Sequence, residues 1–256
     1  MDSLSHIICS ERYTPDINGD FRSQKRSHDM KLIKFILVFS GVLIALCSCN
    51  NGTKNKSELA SVRYLALGDS YTIGQGIDKG ECWPIQLGKK LREMGFAVDK
   101  NDIIARNGWE TTDLLNALAD ASLKNYNLVS LLIGVNNQYS KKPFETYTKE
   151  FDLLINEAIE LVGENRIFVV SIPDYGVTPF GSNNSEKIAL ELDEYNEYAA
   201  SKCQALQIPF INITEISRRL GDSNDALATD SLHPSGTQYG QWVEEMLPSI
   251  LEILNE

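Results

Sequence analysis

Histidine, cysteine and basic charge are all scarce in this 256-residue chain, which carries only three His and five Cys. Each shortage removes a class of function. The 24 Lys and Arg are outnumbered by 35 Asp and Glu, for a net charge of −11. No basic run interrupts that acidity, so neither a nucleic-acid backbone nor an anionic lipid surface is an expected partner. The cysteines form no Cys-x-x-Cys pair and no Cys/His cluster, so a structural zinc site has no basis. No apolar run reaches the ~20 residues of a membrane-spanning helix. No internal repeat is present, and the only low-complexity stretch is residues 51–61.

What is there begins with a change in character near residue 50. From Met30 the chain reads "MKLIKFILVFSGVLIALCSCNN". Lys31 and Lys34 make a basic start, and residues 35–46 make a short apolar stretch. That is the build of an export signal. Leu46-Cys47-Ser48-Cys49 then fits a bacterial lipobox, with Cys49 as the lipid acceptor. A plain signal peptide without lipid is the simpler alternative. Residues 1–29 are polar and patternless, so they are expected to be a disordered leader or a mis-assigned start, with Met30 the true one. Residues 30–49 are the signal, 50–61 a tether, and 62–256 one domain large enough to bury a core. Without residues 1–49 the balance is 18 basic to 30 acidic residues, a charge of −12. Attachment to a membrane would therefore come from the N-terminal lipid alone.

Apolar strand-like runs alternate with helical periods over the rest. Strands are expected at 64–67, 103–105, 128–133, 166–172 and 209–213. A helix over 83–94 has Pro84 in its first turn. Another over 111–121 opens with Thr-Thr-Asp as its cap. Phe144, Tyr147, Phe151, Leu154 and Ala158 form one buried helical stripe. Ile188, Leu192, Tyr195, Ala199, Cys203 and Leu206 form a second. Tyr239, Trp242, Val243, Met246, Ile250 and Leu254 form the last. This alternation implies parallel βαβ units in a three-layer α/β/α sandwich. Cys203 falls among core positions, and nothing demands a disulfide between it and Cys82.

In an open parallel sheet, ligands bind beyond the carboxyl ends of the strands. The first strand ends in Gly68-Asp69-Ser70. After the second comes "ARNGWET" with Gly108, after the third "LLIGVNN" with Asn136 and Asn137, and before the last helix "TDSLHPSG" with Asp230 and His233. A serine hydroxyl needs a base to become a nucleophile. His6 and His28 precede Met30, so His233 is the one candidate base for Ser70. Asp230 can hold its other ring nitrogen. Backbone N–H groups of Ser70 and Gly108, with the Asn136 amide, can receive an oxyanion. Gly108 lacks a Cβ, which lets the backbone approach a substrate.

These four blocks, in this order and spacing over roughly residues 62–255, resemble the SGNH (GDSL) hydrolase family. The resemblance implies a flavodoxin-like α/β/α sandwich with a five-stranded parallel sheet. It implies ester hydrolysis without a cofactor or metal. Ser70 would be nucleophile and first oxyanion donor, Gly108 and Asn136 the other donors, His233 the base and Asp230 its partner. The expected product is an exported serine esterase, lipid-anchored to a bacterial cell envelope and working as a monomer on a small-molecule, glycan or lipid ester. A catalytically silent binding lipoprotein of the same fold is the alternative. The family's third block commonly reads Gly-x-Asn-Asp, and Asn137 stands in place of that Asp.

Plainer roles accompany several of these residues. Ser70 alone could simply cap the following helix, and Asp69 is expected to orient the loop through backbone bonds. Asp230 and His233 could be metal ligands, but a third ligand is not evident. "GQGIDKG" (74–80) has the look of a phosphate loop without its Gly-Lys-Ser/Thr ending. Trp83, Trp109 and Tyr139 could line a substrate pocket, or only pack. "PDYGVTPF" (173–180) could shape substrate access.

Overall fold

The computed structural model describes residues 61–255. The expected leader, export signal with Cys49, and tether up to residue 60 lie outside the described residues. In chain order the elements are β1 (Val62–Gly68), α1 (Ser70–Ile73), α2 (Trp83–Glu93), β2 (Val98–Ala105), α3 (Thr111–Asp120), β3 (Leu128–Leu132) and α4 (Val135–Tyr139). Then come α5 (Phe144–Val162), β4 (Ile167–Val170), α6 (Ser185–Ala205), β5 (Phe210–Ile211), α7 (Thr214–Leu220) and α8 (Gly236–Asn255). The five strands form one sheet in the order β2-β1-β3-β4-β5, every pair parallel. Helix α2 packs with α8, while α3, α5 and α6 pack in a row, and the two groups cover opposite faces. This is the α/β/α sandwich of the expectation.

The strands are apolar because both their faces are covered. All five residues of β3 and all four of β4 are buried. Ser130 is the polar exception at the sheet centre, and it is satisfied by the Tyr64 hydroxyl at 2.7 Å on the neighbouring strand. The helical stripes dock as their spacing requires: Tyr147, Phe151, Leu154 and Ala158 on α5, Ile188, Leu192, Tyr195, Ala199 and Cys203 on α6. On α8 the buried positions include Tyr239, Trp242, Val243, Met246 and Ile250. Each large side chain so buried contributes about 1.5–3 kcal/mol. Burial pushes the Cys203 thiol up to about 12, which makes it an inert core residue. No disulfide joins it to Cys82, whose Sγ lies 3.1 Å from the Lys79 carbonyl.

Three details differ from the sequence expectation. Strand β2 starts at Val98, not 103, and carries the polar run Asp99–Asp102. It is an edge strand, and two of its buried side chains find partners: Asn101 Nδ2 donates to the Pro84 carbonyl at 3.0 Å, and Asp102 accepts from the Tyr126 hydroxyl at 2.6 Å. At the opposite edge, β5 shrinks to two residues. Helix α3 is not capped by a threonine. Glu110 is its N-cap, and the Asp113 carboxylate accepts the Glu110 N–H at 2.9 Å. Thr111 and Thr112 sit inside the first turn, where their hydroxyls serve other partners.

Candidate active site

The rim is built by strand register. Gly68, the last residue of β1, pairs with Ala105 at the end of β2 and with Leu132 at the end of β3. Three parallel strands therefore stop side by side. The chain just beyond each supplies Ser70, Gly108 and Asn136.

Ser70 opens α1 and is 4% exposed. It does not cap that helix: Asp69 is the N-cap, its Oδ1 accepting the Tyr71 N–H at 3.0 Å. Asp69 thus orients the loop through a backbone bond, as expected. Its other oxygen is buried without a protein partner. Burial pushes the Asp69 carboxyl from 3.8 up to about 7, against the lowering pull of its backbone bonds.

His233 Nδ1 lies 2.7 Å from Asp230 Oδ2. Asp230 Oδ1 also accepts the backbone N–H groups of Leu232 (3.0 Å) and His233 (2.9 Å), so one carboxylate fixes both the loop and the ring. Burial alone would raise the Asp230 carboxyl. The bonds from His233 and Leu232 outweigh it and hold the group below the ordinary carboxylate value. An ionised Asp230 can only accept, so Nδ1 carries the hydrogen and Nε2 is left as a base. His233 is 7% exposed and its ring packs on Tyr71, centroids 5.4 Å apart. Tyr71 directly follows Ser70. His233, remote in the chain, is in this way packed on the residue that follows Ser70, at one corner of the rim.

The 74–80 loop also reaches this corner. A Cβ built on Gly76 (φ +86°) would stand 3.0 Å from Asp230 Oδ2, so a larger residue would press on the carboxylate. A backbone laid against a carboxylate is the opposite of a phosphate cradle. Asp230 and His233 bond to each other, and no group of three or more metal-ligating side chains occurs among the described residues.

Gly108 has φ +79°, a left-handed conformation, with open space where a Cβ would be. The backbone conformation, more than crowding, is therefore what calls for glycine. Asn136 donates one Nδ2 hydrogen to the Trp109 carbonyl at 2.9 Å, which leaves the second for a ligand. Asn137, in the place of the usual Asp, is fully buried and makes the local loop bonds itself. Its Oδ1 accepts the Thr111 N–H at 3.1 Å, and its Nδ2 donates to Thr111 Oγ1 at 2.7 Å.

The three aromatic residues separate. Trp83 is core, edge-on to Phe168 at 6.5 Å. Trp109 is half-buried beside Gly108. Tyr139 is 57% exposed and forms a ring triangle with Tyr175 and the 52%-exposed Phe180, at 6.2, 5.9 and 6.3 Å. Tyr175 and Phe180 belong to the 173–180 segment, so that segment does contribute to the rim. It is held from behind: the Arg218 guanidinium binds Asp174 at 2.9 Å and Asp193 at 2.7 Å, and the Tyr175 hydroxyl donates to Gln138 at 2.9 Å. A cavity of about 10 Å³ lies between Tyr71, Tyr175 and Leu232. A larger hollow of about 240 Å³ is lined by Leu118, Leu123, Glu157 and Leu161 and includes none of the rim residues.

Sequence reasoning missed Tyr71, Gly76 and the Asp174–Arg218 pair. Tyr71 was in view beside Ser70. The other contacts join residues far apart in the chain and leave no local signal.

The model of the GDSL-like lipase/acylhydrolase family matches residues 66–240. No curated protein matches the chain. Among solved structures, a lipolytic protein of the G-D-S-L family from Veillonella parvula is 13% identical over 74% of this chain and 97% of its own, with a TM-score of 0.60. The psychrotrophic esterase EstA from Pseudoalteromonas, inhibited by monoethylphosphonate, is 18% identical over 76% of this chain and 99% of its own, with a TM-score of 0.52. A variant of an acetyl-xylooligosaccharide esterase from Geobacillus is 17% identical over 78% and 97%, with a TM-score of 0.56. At these identities the structural likeness establishes the fold.

The buried Asp69 makes a prediction. Its carboxyl ionises near 3.8 when unfolded but at about 7 when folded, so between those values the folded state keeps a proton that the unfolded state has lost. Stability from this group is full below pH 4 and is lost as pH rises to 7, by as much as about 4 kcal/mol. Asp69→Asn keeps the acceptor for Tyr71 but cannot ionise. Urea unfolding at pH 4.5 and 7.5 is expected to find the variant gaining on the wild type at the higher pH. An unchanged difference between the two proteins at both pH values would contradict the assignment.

Proposed function

The chain belongs to the GDSL-like lipase/acylhydrolase family, and on that premise we propose that it is a serine esterase that cleaves carboxylic esters through an acyl-enzyme. The observation that carries this reading is the 2.7 Å His233–Asp230 bond, packed on the residue next to Ser70. In the reaction, Ser70 Oγ attacks the ester carbonyl carbon while His233 Nε2 takes up its proton. Asp230 holds Nδ1–H and stabilises the imidazolium that forms. The carbonyl oxygen becomes an oxyanion and receives the N–H groups of Ser70 and Gly108 and the second Nδ2 hydrogen of Asn136. Collapse breaks the ester C–O bond, and the imidazolium returns its proton to the departing alcohol. Water then attacks the acyl-serine by the same route and releases the acid.

The substrate is an acyl or acetyl ester of a small molecule, glycan or lipid. Its outer part rests on the exposed rings of Tyr139 and Phe180. Tyr139 lies one helical turn beyond Asn136 on α4, so these rings flank the oxyanion site. The same reading takes the protein as exported and held at the bacterial cell envelope by lipid on Cys49, on the support of Lys31, Lys34 and the apolar stretch 35–46.

Two outcomes test the reading on residues 50–256. Ser70→Ala is expected to lower kcat for p-nitrophenyl acetate by at least about 10³-fold, and wild-type turnover in that variant would end it. Tyr139→Ala with Phe180→Ala is expected to raise KM about three- to tenfold at nearly constant kcat, the mark of contacts equal in ground and transition states. A fall in kcat at constant KM would remove the rings from the binding surface.

A further inference from the structure

We propose that Asn137 and Glu150 are a matched pair that acts through the Thr111 hydroxyl between them, and that this line of bonds fixes the loop carrying Gly108 against the helix carrying Asn136. Its effect on rate rests on the esterase reading above; the pairing itself does not.

The hydrogen bonds leave no freedom of direction. Thr111 and Asn137 are both fully buried and come from different strand ends. The Thr111 N–H can only donate, and it meets Asn137 Oδ1 at 3.1 Å. The other end of that amide is therefore Nδ2, which can only donate, and it meets Thr111 Oγ1 at 2.7 Å. The Thr111 hydroxyl has one hydrogen left to give. It gives it to Glu150 Oε2 on α5, a carboxylate that can only accept. Glu150 takes a second hydrogen bond from Thr112 Oγ1, at 2.7 Å to Oε1. The line runs one way, from Asn137 through Thr111 to Glu150, with an obligatory donor at one end and an obligatory acceptor at the other.

A carboxylate at position 137 would break that order. Two acceptors would then face one hydroxyl from opposite sides, with one hydrogen between them, and the losing contact would set lone pairs against lone pairs. In a fully buried place such a contact is costly. The Asn found where the family commonly has Asp is thus the residue that Glu150 requires.

The consequence for the site is positional. Asn136 Nδ2 bonds the Trp109 carbonyl, Thr111 N–H bonds Asn137, and Asn137 Nδ2 bonds Thr111. These bonds between residues 109–111 and 136–137 hold the Gly108 N–H and the Asn136 amide at a fixed separation. Lys142, which continues from α4, adds an ion pair to Glu110 at 3.3 Å. Asn137, Thr111 and Glu150 are positioning residues that touch no substrate.

The test is a double-mutant cycle on residues 50–256, read by thermal unfolding and by kcat and KM for p-nitrophenyl acetate. Asn137→Asp is expected to lower Tm by at least about 4 °C and kcat by at least about tenfold, with a smaller change in KM. Glu150→Gln costs less, because the glutamine amide oxygen can take the place of Oε2 as acceptor from Thr111, at the expense of the Thr112 bond. The double variant is expected to recover most of both losses: the new amide at position 150 donates to Thr111, the Thr111 hydroxyl donates to the new carboxylate at position 137, and the line runs backwards. Losses that simply add, or an Asn137→Asp protein as stable as wild type, would overturn the pairing. If Asn137→Asp does not fold, a folded double variant supports the pairing and an unfolded one overturns it. Were the protein no esterase, the Tm cycle would still decide the pairing, and recovery of Tm without recovery of kcat would remove the positional role.

Discussion

Gly68 pairs with Ala105 on one side and Leu132 on the other, so three parallel strands end at one height. The site depends on that register. A strand slip of one residue would turn every side chain to the opposite face of the sheet. The buried runs of β1, β3 and β4 leave no tolerance for such a slip. What the core enforces is therefore also what sets side by side the strand ends that lead into Ser70, Gly108 and Asn136. Helix α8 completes the arrangement: Trp242, packed in the core, lies 6.5 Å from Tyr71, and Tyr71 seats His233.

Two carboxylates, one before Ser70 and one on His233, are driven in opposite directions. Asp69 is sealed from water with one oxygen unpartnered, and burial raises it to about 7. Asp230 is also partly sealed, but three hydrogen bonds hold it ionised. One carboxyl can thus be neutral and structural while the other is charged and orients the imidazole. Exchanging their surroundings would leave His233 without its anion.

Much of this was legible beforehand because the polar residues interrupt apolar runs at strand ends, and strand ends of a parallel sheet converge. Ser70, Asp69, Gly108 and Asn136 stood out in that way, and His233 as the one histidine after Met30, with Asp230 three residues before it. Helices α5, α6 and α8 were visible because four or more buried positions repeat along each. Helices α1, α4 and α7 have four, five and seven residues, too short for a period to appear. Strand β2 hid its first half because, at the sheet edge, Asn101 and Asp102 are buried in place of apolar residues, one bonded to the Pro84 carbonyl and the other to the Tyr126 hydroxyl. The Asn137–Thr111–Glu150 line was out of reach for another reason: it joins three separate segments, and only the direction of its bonds makes Asn intelligible there. The Arg218–Asp174 tie spans 44 residues, with no pattern at either end.

Everything chemical in the proposed reaction rests on the imidazole of His233 activating the hydroxyl of Ser70. Reaction with a fluorophosphonate, followed by peptide mapping, addresses it most directly. One phosphonyl adduct is expected on the folded protein, located on Ser70 and formed at least about 10²-fold more slowly in His233→Ala. A folded wild-type protein that stays unlabelled, or one that labels Ser70 equally fast without His233, would contradict it.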